Sequence, residues 1–152
     1  MQVNVDKKLG FKIAGKAFKI DKREDAHQIR DSFLNEYRQI LKEHGAAFGL
    51  MEYNALDQNY NYFIGFEVSD RETIEKNNFL VYEIPGSYYL EVAVEGLDGL
   101  KDAYSYTYEE YFPNKKYFHG LGADIEFYQY DESTDSIGNV KLFILLRENP
   151  NA

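Results

Sequence analysis

Residues 123–147 read ADIEFYQYDESTDSIGNVKLFILLR, two runs of alternating side chains around a polar turn. Successive side chains of a strand point to opposite faces, so Ile125 and Phe127 fall on one side and Asp124, Glu126, Tyr128 and Tyr130 on the other. In the return run Val140, Leu142, Ile144 and Leu146 form an aliphatic set, opposite Lys141, Phe143, Leu145 and Arg147. The aliphatic set belongs against helices. A matched register then groups Glu126 and Tyr128 with Phe143 and Leu145 on the other face. A face that only met water would be polar throughout. This one surrounds a carboxylate with aromatic and aliphatic groups, the composition of a ligand pocket. A plainer account leaves Glu126 solvated, or paired with Lys141 across the strands.

Upstream of this hairpin, 79–84 and 88–95 read as strands joined through Pro85-Gly86. The stretch 96–112 reads as a helix with Leu97, Leu100, Tyr104, Tyr108 and Tyr111 on one stripe, ended by Pro113. The same order occurs earlier. A strand at 11–20, FKIAGKAFKI, precedes REDAHQIRDSFLNEYRQILKEHG, in which Ile29, Phe33, Tyr37, Ile40 and Leu41 recur at helical spacing before Gly45. Strands follow at 47–53 and 60–68, the second with Tyr60, Tyr62, Ile64, Phe66 and Val68 on one face, and LDQN supplies the turn between them. The chain thus reads as one α+β domain over 1–152. It is built from two successive strand–helix–strand–strand units, 9–70 and 78–148, and GLMEYN in the first echoes DIEFYQYD in the second. Each helix must cover one face of its antiparallel sheet, which leaves the opposite face for a cleft.

Composition narrows the function classes. The 152 residues suffice for one domain with a real core, and 14 Tyr and 11 Phe without Trp suit surfaces half apolar and half wet. The absence of cysteine excludes disulfides and thiolate chemistry, and fits a reducing, cytoplasmic location. No apolar run reaches signal-peptide or membrane-spanning length, so no membrane partner is expected. With 17 Lys and Arg against 26 Asp and Glu the formal charge is −9, which argues against direct nucleic-acid binding. His27, His44 and His119 share no ligand spacing, so neither metal nor cofactor is expected. His119–Gly122, HGLG, lacks a phosphate-loop pattern, and Glu109-Glu110 reads as a solvated helix face.

Four segments taken in order, FKIAGK (11–16), YFIGFEV (62–68), EIPGSYY (83–89) and DIEFY (124–128), resemble the GyrI-like small-molecule-binding domain. That is the effector-binding module of AraC- and MerR-type bacterial transcription activators. The resemblance implies two pseudo-symmetric βαββ units with a cleft between them. It also implies a lipophilic or aromatic, often cationic, ligand held against a glutamate in an E-x-Y strand motif, which here falls on Glu126 and Tyr128. Aromatic walls are then expected from Tyr104, Tyr108, Tyr53 and Phe143, with Glu67 as the first unit's counterpart carboxylate and Glu52 and Glu91 as weaker versions. No helix-turn-helix precedes the matching segments, so a stand-alone sensing or sequestering protein is expected, with a separate regulator as a possible partner. Two other functions of such domains stay open. One is hydrolysis of strained electrophiles with Glu126 as general base beside a tyrosine acid. The other is inhibition of DNA gyrase through the acidic surface.

Overall fold

A computed structural model describes residues 2–114 and 117–147, with Leu97 known by its backbone alone. Two strands open the chain, β1 (Val3–Lys8) and β2 (Phe11–Ile20). The helices α1 (Ala26–Glu36) and α2 (Arg38–His44) follow, then the hairpin β3 (Ala46–Asn54) and β4 (Asn59–Phe66). A short α3 (Arg71–Lys76) leads to β5 (Leu80–Ile84) and β6 (Ser87–Val94). Helix α4 (Leu100–Tyr106) and the two-residue β7 (Phe118–His119) precede the second hairpin, β8 (Asp124–Asp131) and β9 (Ser136–Arg147).

The expected first helix is broken in two. Ala26, Arg30, Phe33 and Leu34 are buried at helical spacing, but Tyr37 takes φ −107° and ψ 34°, which turns α2 onto a new axis. Gly45, at φ 78°, closes α2 in the left-handed conformation that glycine adopts without strain. The second helix keeps α geometry for seven residues and then widens into a π-helical turn at Thr107–Tyr111. Buried Thr107 donates its hydroxyl to the Ala103 carbonyl at 2.8 Å, a local competition with the regular ladder that loosens helices. Asp70 caps α3, accepting from the Thr73 amide at 3.2 Å. Neither α3 nor β1 is visible in the hydrophobic pattern, because both are mostly polar.

The strands form one antiparallel sheet in the order β1-β6-β9-β8-β3-β4-β2-β5, with β7 beside the end of β9. Outward from the β8–β3 seam each unit repeats the same order, which bears out the duplicated βαββ architecture. The residue 148 that closes the second expected unit lies outside the described residues, as does the Leu97 side chain of its expected stripe. β1 and β2 run against β6 and β5 in a single register, with Val3 opposite Val92, Lys8 opposite Ser87, Phe11 opposite Ile84 and Gly15 opposite Leu80. The two long strand pairs meet at Gly10 and Gly86. A Cβ on Gly10 would come within 2.9 Å of the Ile84 carbonyl oxygen, so only glycine fits there.

The larger core lies between sheet and helices, where Phe33, Leu41, Tyr62, Phe66, Leu90, Leu142 and Ile144 are buried. On the other face Ile13, Leu50, Phe63, Ile84, Tyr89, Ile125 and Leu145 form a smaller cluster. One expectation about faces is overturned here. Glu126 stands opposite Leu142 and Tyr128 opposite Val140, so both carboxylate and phenol lie on the helix-covered side, while Phe143 and Leu145 face away with Ile125. The cause is a bulge. Asp131 pairs with Ser136 and Tyr130 with Ile137, but Gln129 pairs with Asn139, leaving Gly138 out of the register. Counted from the turn without that extra residue, Glu126 would have faced Lys141 and shared the side of Phe143. Lys141 instead pairs with Phe127 across the strands and contacts Glu91 at 3.4 Å.

Candidate functional site

Strand alternation puts Asp124, Glu126 and Tyr128 on the same face of β8, and the helices on either side complete their surroundings. Glu126 is 1% exposed. Its Oε2 accepts from the Tyr104 hydroxyl of α4 at 2.5 Å, and its Oε1 accepts from Tyr128 and, at 3.4 Å, from Tyr62 of β4. The Tyr128 hydroxyl in turn accepts from Nη1 of Arg30 at 3.2 Å, so the guanidinium reaches the carboxylate through the phenol. Arg30 lies over the Tyr128 ring at 5.2 Å and is itself buried.

The electrostatics follow from burial. Desolvation raises the Glu126 carboxyl above its ordinary value, while the hydrogen bonds from Tyr104 and Tyr128 and the charge of Arg30 oppose the rise. Burial, with the nearby carboxylate second, holds the Tyr62, Tyr104 and Tyr128 phenols far above theirs, so they act as donors at neutral pH.

A second carboxylate sits two residues away. Asp124 is 3% exposed, accepts from the Tyr108 hydroxyl at 2.5 Å, and contacts Nε2 of His119 at 2.7 Å. Nδ1 of His119 lies 2.5 Å from the Gly120 carbonyl oxygen, so both ring nitrogens face acceptors, the arrangement that suits imidazolium.

Two cavities meet at this wall. One, of about 480 Å³, opens between the start of α1 and α4 and reaches Glu126, with Glu24, Asp98 and Glu109 at its mouth and Tyr104 and Tyr108 on its side. The other, of about 510 Å³, is bordered by Asp124, His119, Glu52, Tyr53 and Tyr60. Arg23 and Tyr108 line both.

The structure therefore brings together Glu126, Tyr128, Tyr104 and Tyr108, four of the residues singled out from sequence. Tyr53 lies to the side, 54% exposed and packed edge-on against Tyr60 at 5.1 Å, on the Asp124 cavity. Phe143 and Glu67 are placed elsewhere, on a separate cavity of about 410 Å³ on the opposite face with Phe11, Phe48 and Phe127. Lys8 covers the Phe143 ring there at 4.7 Å. The bulge that turned Glu126 inward is what separates it from Phe143. Sequence reasoning passed over Arg30, Arg23 and Tyr62. Arg30 did leave a signal, as a cation at helical spacing between Ala26 and Phe33, where an apolar residue is expected.

The family model of Cass2, integron-associated effector binding protein, matches residues 5–144. No curated protein matches the chain in sequence. Among solved structures, SAV2435 bound to tetraphenylphosphonium superposes with a TM-score of 0.70 at 14% identity, over 97% of this chain and 94% of that one. The C-terminal domain of EcmrR gives a TM-score of 0.64 at 15% identity, over 97% and 98% of the two chains. The integron cassette protein VCH_CASS2 from the mobile metagenome of Vibrio cholerae gives 0.59 at 12% identity, over 95% of each. At these identities the superpositions speak for the fold.

Proposed function

The chain belongs to the Cass2 family of integron-associated effector binding proteins, and from that premise we propose that it binds a lipophilic organic cation in the cavity between α1 and α4, with Glu126 as the counter-charge. The observation that carries this reading is the state of Glu126. It is buried, its described donors are tyrosine hydroxyls, and Arg30 reaches it through Tyr128. An ionised carboxylate in such surroundings has lost hydration without gaining a direct cation, so an incoming cation restores the balance. Tyr104 and Tyr108 offer ring faces on the same wall, each worth about 0.5–2 kcal/mol to a desolvated cation. At the mouth Glu24, Asp98 and Glu109 outnumber Lys101, which favours cations there. The tetraphenylphosphonium held by SAV2435 is a ligand of this class.

Binding is favoured over hydrolysis by the same geometry. Both Glu126 oxygens are engaged by phenols whose raised pKa values make them poor acids at neutral pH. Titration calorimetry with tetraphenylphosphonium tests the proposal. Glu126→Gln is expected to weaken binding more than about tenfold, roughly 1.4 kcal/mol. Equal affinity in the two proteins would remove Glu126 from the site.

A further inference from the structure

Arg23 stands on a single 3₁₀ turn, Arg23–Asp25, immediately before α1. Its guanidinium carbon lies 4.6 Å from the ring centre of Tyr104, 5.0 Å from that of Tyr108 and 5.2 Å from that of Tyr60. Three ring faces from β4, α4 and the π-helical turn thus surround one cation. Two of these rings donate their hydroxyls to the buried carboxylates, Tyr104 to Glu126 and Tyr108 to Asp124, each at 2.5 Å. Donation to a carboxylate enriches the ring in electron density and strengthens its attraction for a cation.

Among the described residues the guanidinium is framed by three ring faces. Its Nε is buried without a hydrogen-bond partner. Arg30, seven residues further along, shares the unpartnered Nε but differs in that its Nη1 donates to Tyr128 and its Nε lies 3.7 Å from Asp31. Arg23 also borders both cavities, so its side chain, beside Tyr108, stands between the space at Glu126 and the space at Asp124.

We propose that Arg23 is the resident cation of the Tyr60–Tyr104–Tyr108 cage, and that a cationic ligand binds by displacing it, joining the two cavities into one cleft. The inference rests on the cation-binding reading above and adds to it a built-in competitor and a ligand class. A cage of ring faces favours weakly hydrated cations with spread charge, such as amidinium, quaternary ammonium and phosphonium, over a primary ammonium. Once Arg23 swings out, the cleft presents Glu126 and Asp124 two residues apart on one strand face, roughly 7 Å along the strand. A ligand then has an anchor at each end of the cage. The affinity measured for any such ligand is the difference between its own attraction to the cage and that of Arg23.

Two measurements on the full chain test this. In the first, thermal melting of Arg23→Ala is followed with methylguanidinium and with the neutral isostere methylurea. Methylguanidinium is expected to raise the melting temperature of the variant and not of the wild type, and methylurea to raise neither. No response of the variant to methylguanidinium overturns the cage. In the second, tetraphenylphosphonium affinity is compared for wild type, Arg23→Met and Lys101→Met. Arg23→Met keeps an apolar stem in place and serves as the second variant should the alanine variant fail to fold. Lys101 borders the Glu126 cavity outside the cage, so its loss reports the general effect of removing one positive charge. Displacement predicts at least a tenfold gain for Arg23→Met and a much smaller one for Lys101→Met. Equal gains, or a loss in Arg23→Met, overturn displacement. Rescue of Arg23→Ala by methylguanidinium without tetraphenylphosphonium binding by any of the proteins supports the cage and instead overturns the function proposed above.

Discussion

Gly49 and Glu126 stand directly opposite each other across the β3–β8 seam, and a Cβ on Gly49 would lie 3.0 Å from Oε1 of Glu126 and 2.6 Å from the Tyr62 hydroxyl oxygen. The carboxylate of the second unit therefore occupies space left by a missing side chain of the first. Because both neighbours are buried and hydrogen-bonded to one another, they have nowhere to retreat without breaking that contact. Gly49→Ala is expected to cost about 1–3 kcal/mol in urea denaturation, as overfilled cores do. It is also expected to weaken tetraphenylphosphonium binding. A variant with wild-type stability and affinity would show that Glu126 and Tyr62 are more loosely held than the geometry says.

Ligand affinity is expected to depend on pH through Glu126. Burial raises its folded pKa, and a bound cation favours the ionised form. Affinity is therefore highest above that raised value and falls as pH drops through it, with one proton released per cation bound in that range. Tyr104→Phe removes a donor to Oε2 and moves the fall to higher pH, while Glu126→Gln flattens the profile. Calorimetry in buffers of different ionisation enthalpy reads the proton directly. A flat wild-type profile would contradict the assignment.

Arg30→Met tests the link through Tyr128. Removal of a buried cation that supports a buried carboxylate typically destabilises by about 3–5 kcal/mol, and the indirect contact here sets the expectation at roughly half of that. The loss should shrink in acid, where Glu126 is protonated and no charge remains to be offset. Denaturation curves of both proteins at neutral and acidic pH measure the difference, and a cost independent of pH would point to lost packing alone.

His119 gives a pH effect of the opposite sense. Desolvation pulls its pKa down, but the hydrogen bond and charge of Asp124 and the Gly120 carbonyl outweigh it, so the net shift is upward. A raised folded value means that the stabilisation is fully present below the ordinary histidine range, about 6.5, and is lost as pH climbs through the folded value. The stability gap between wild type and His119→Gln is expected to be larger near about pH 6 than near about pH 9. A gap that widens with pH would reverse the assignment of His119 as an imidazolium.

Much of the fold was legible because alternation and helical spacing are strong where one face is apolar. Tyr62, Ile64 and Phe66 lie on the core side as their spacing predicts, and β2 spans the residues read from FKIAGKAFKI. Glu126, Tyr128 and Tyr104 share one wall because each lies on a regular strand or helix face, and Tyr108 joins them from the π-helical turn. The face that Glu126 occupies was not legible, since one unpaired residue at Gly138 reverses every side chain beyond it. Phe143 was misplaced for the same reason. Arg23 was invisible because it lies on a 3₁₀ turn, where no periodicity reports a direction. Its role depends on three rings drawn from distant parts of the chain.

Through the continuous pairing past Gly10 and Gly86, the two halves of the chain exchange strands. β1 belongs by sequence to the first half but completes the edge of the second half's β6, and β5 crosses the other way to β2. Each half thus carries an arm that only its sibling can use. A cut in the exposed, polar α3 would leave two fragments with bare strand edges and complementary arms. Mixed together, they are expected to reassemble by exchanging those arms, and Gly49 and Glu126 would meet again only when they do.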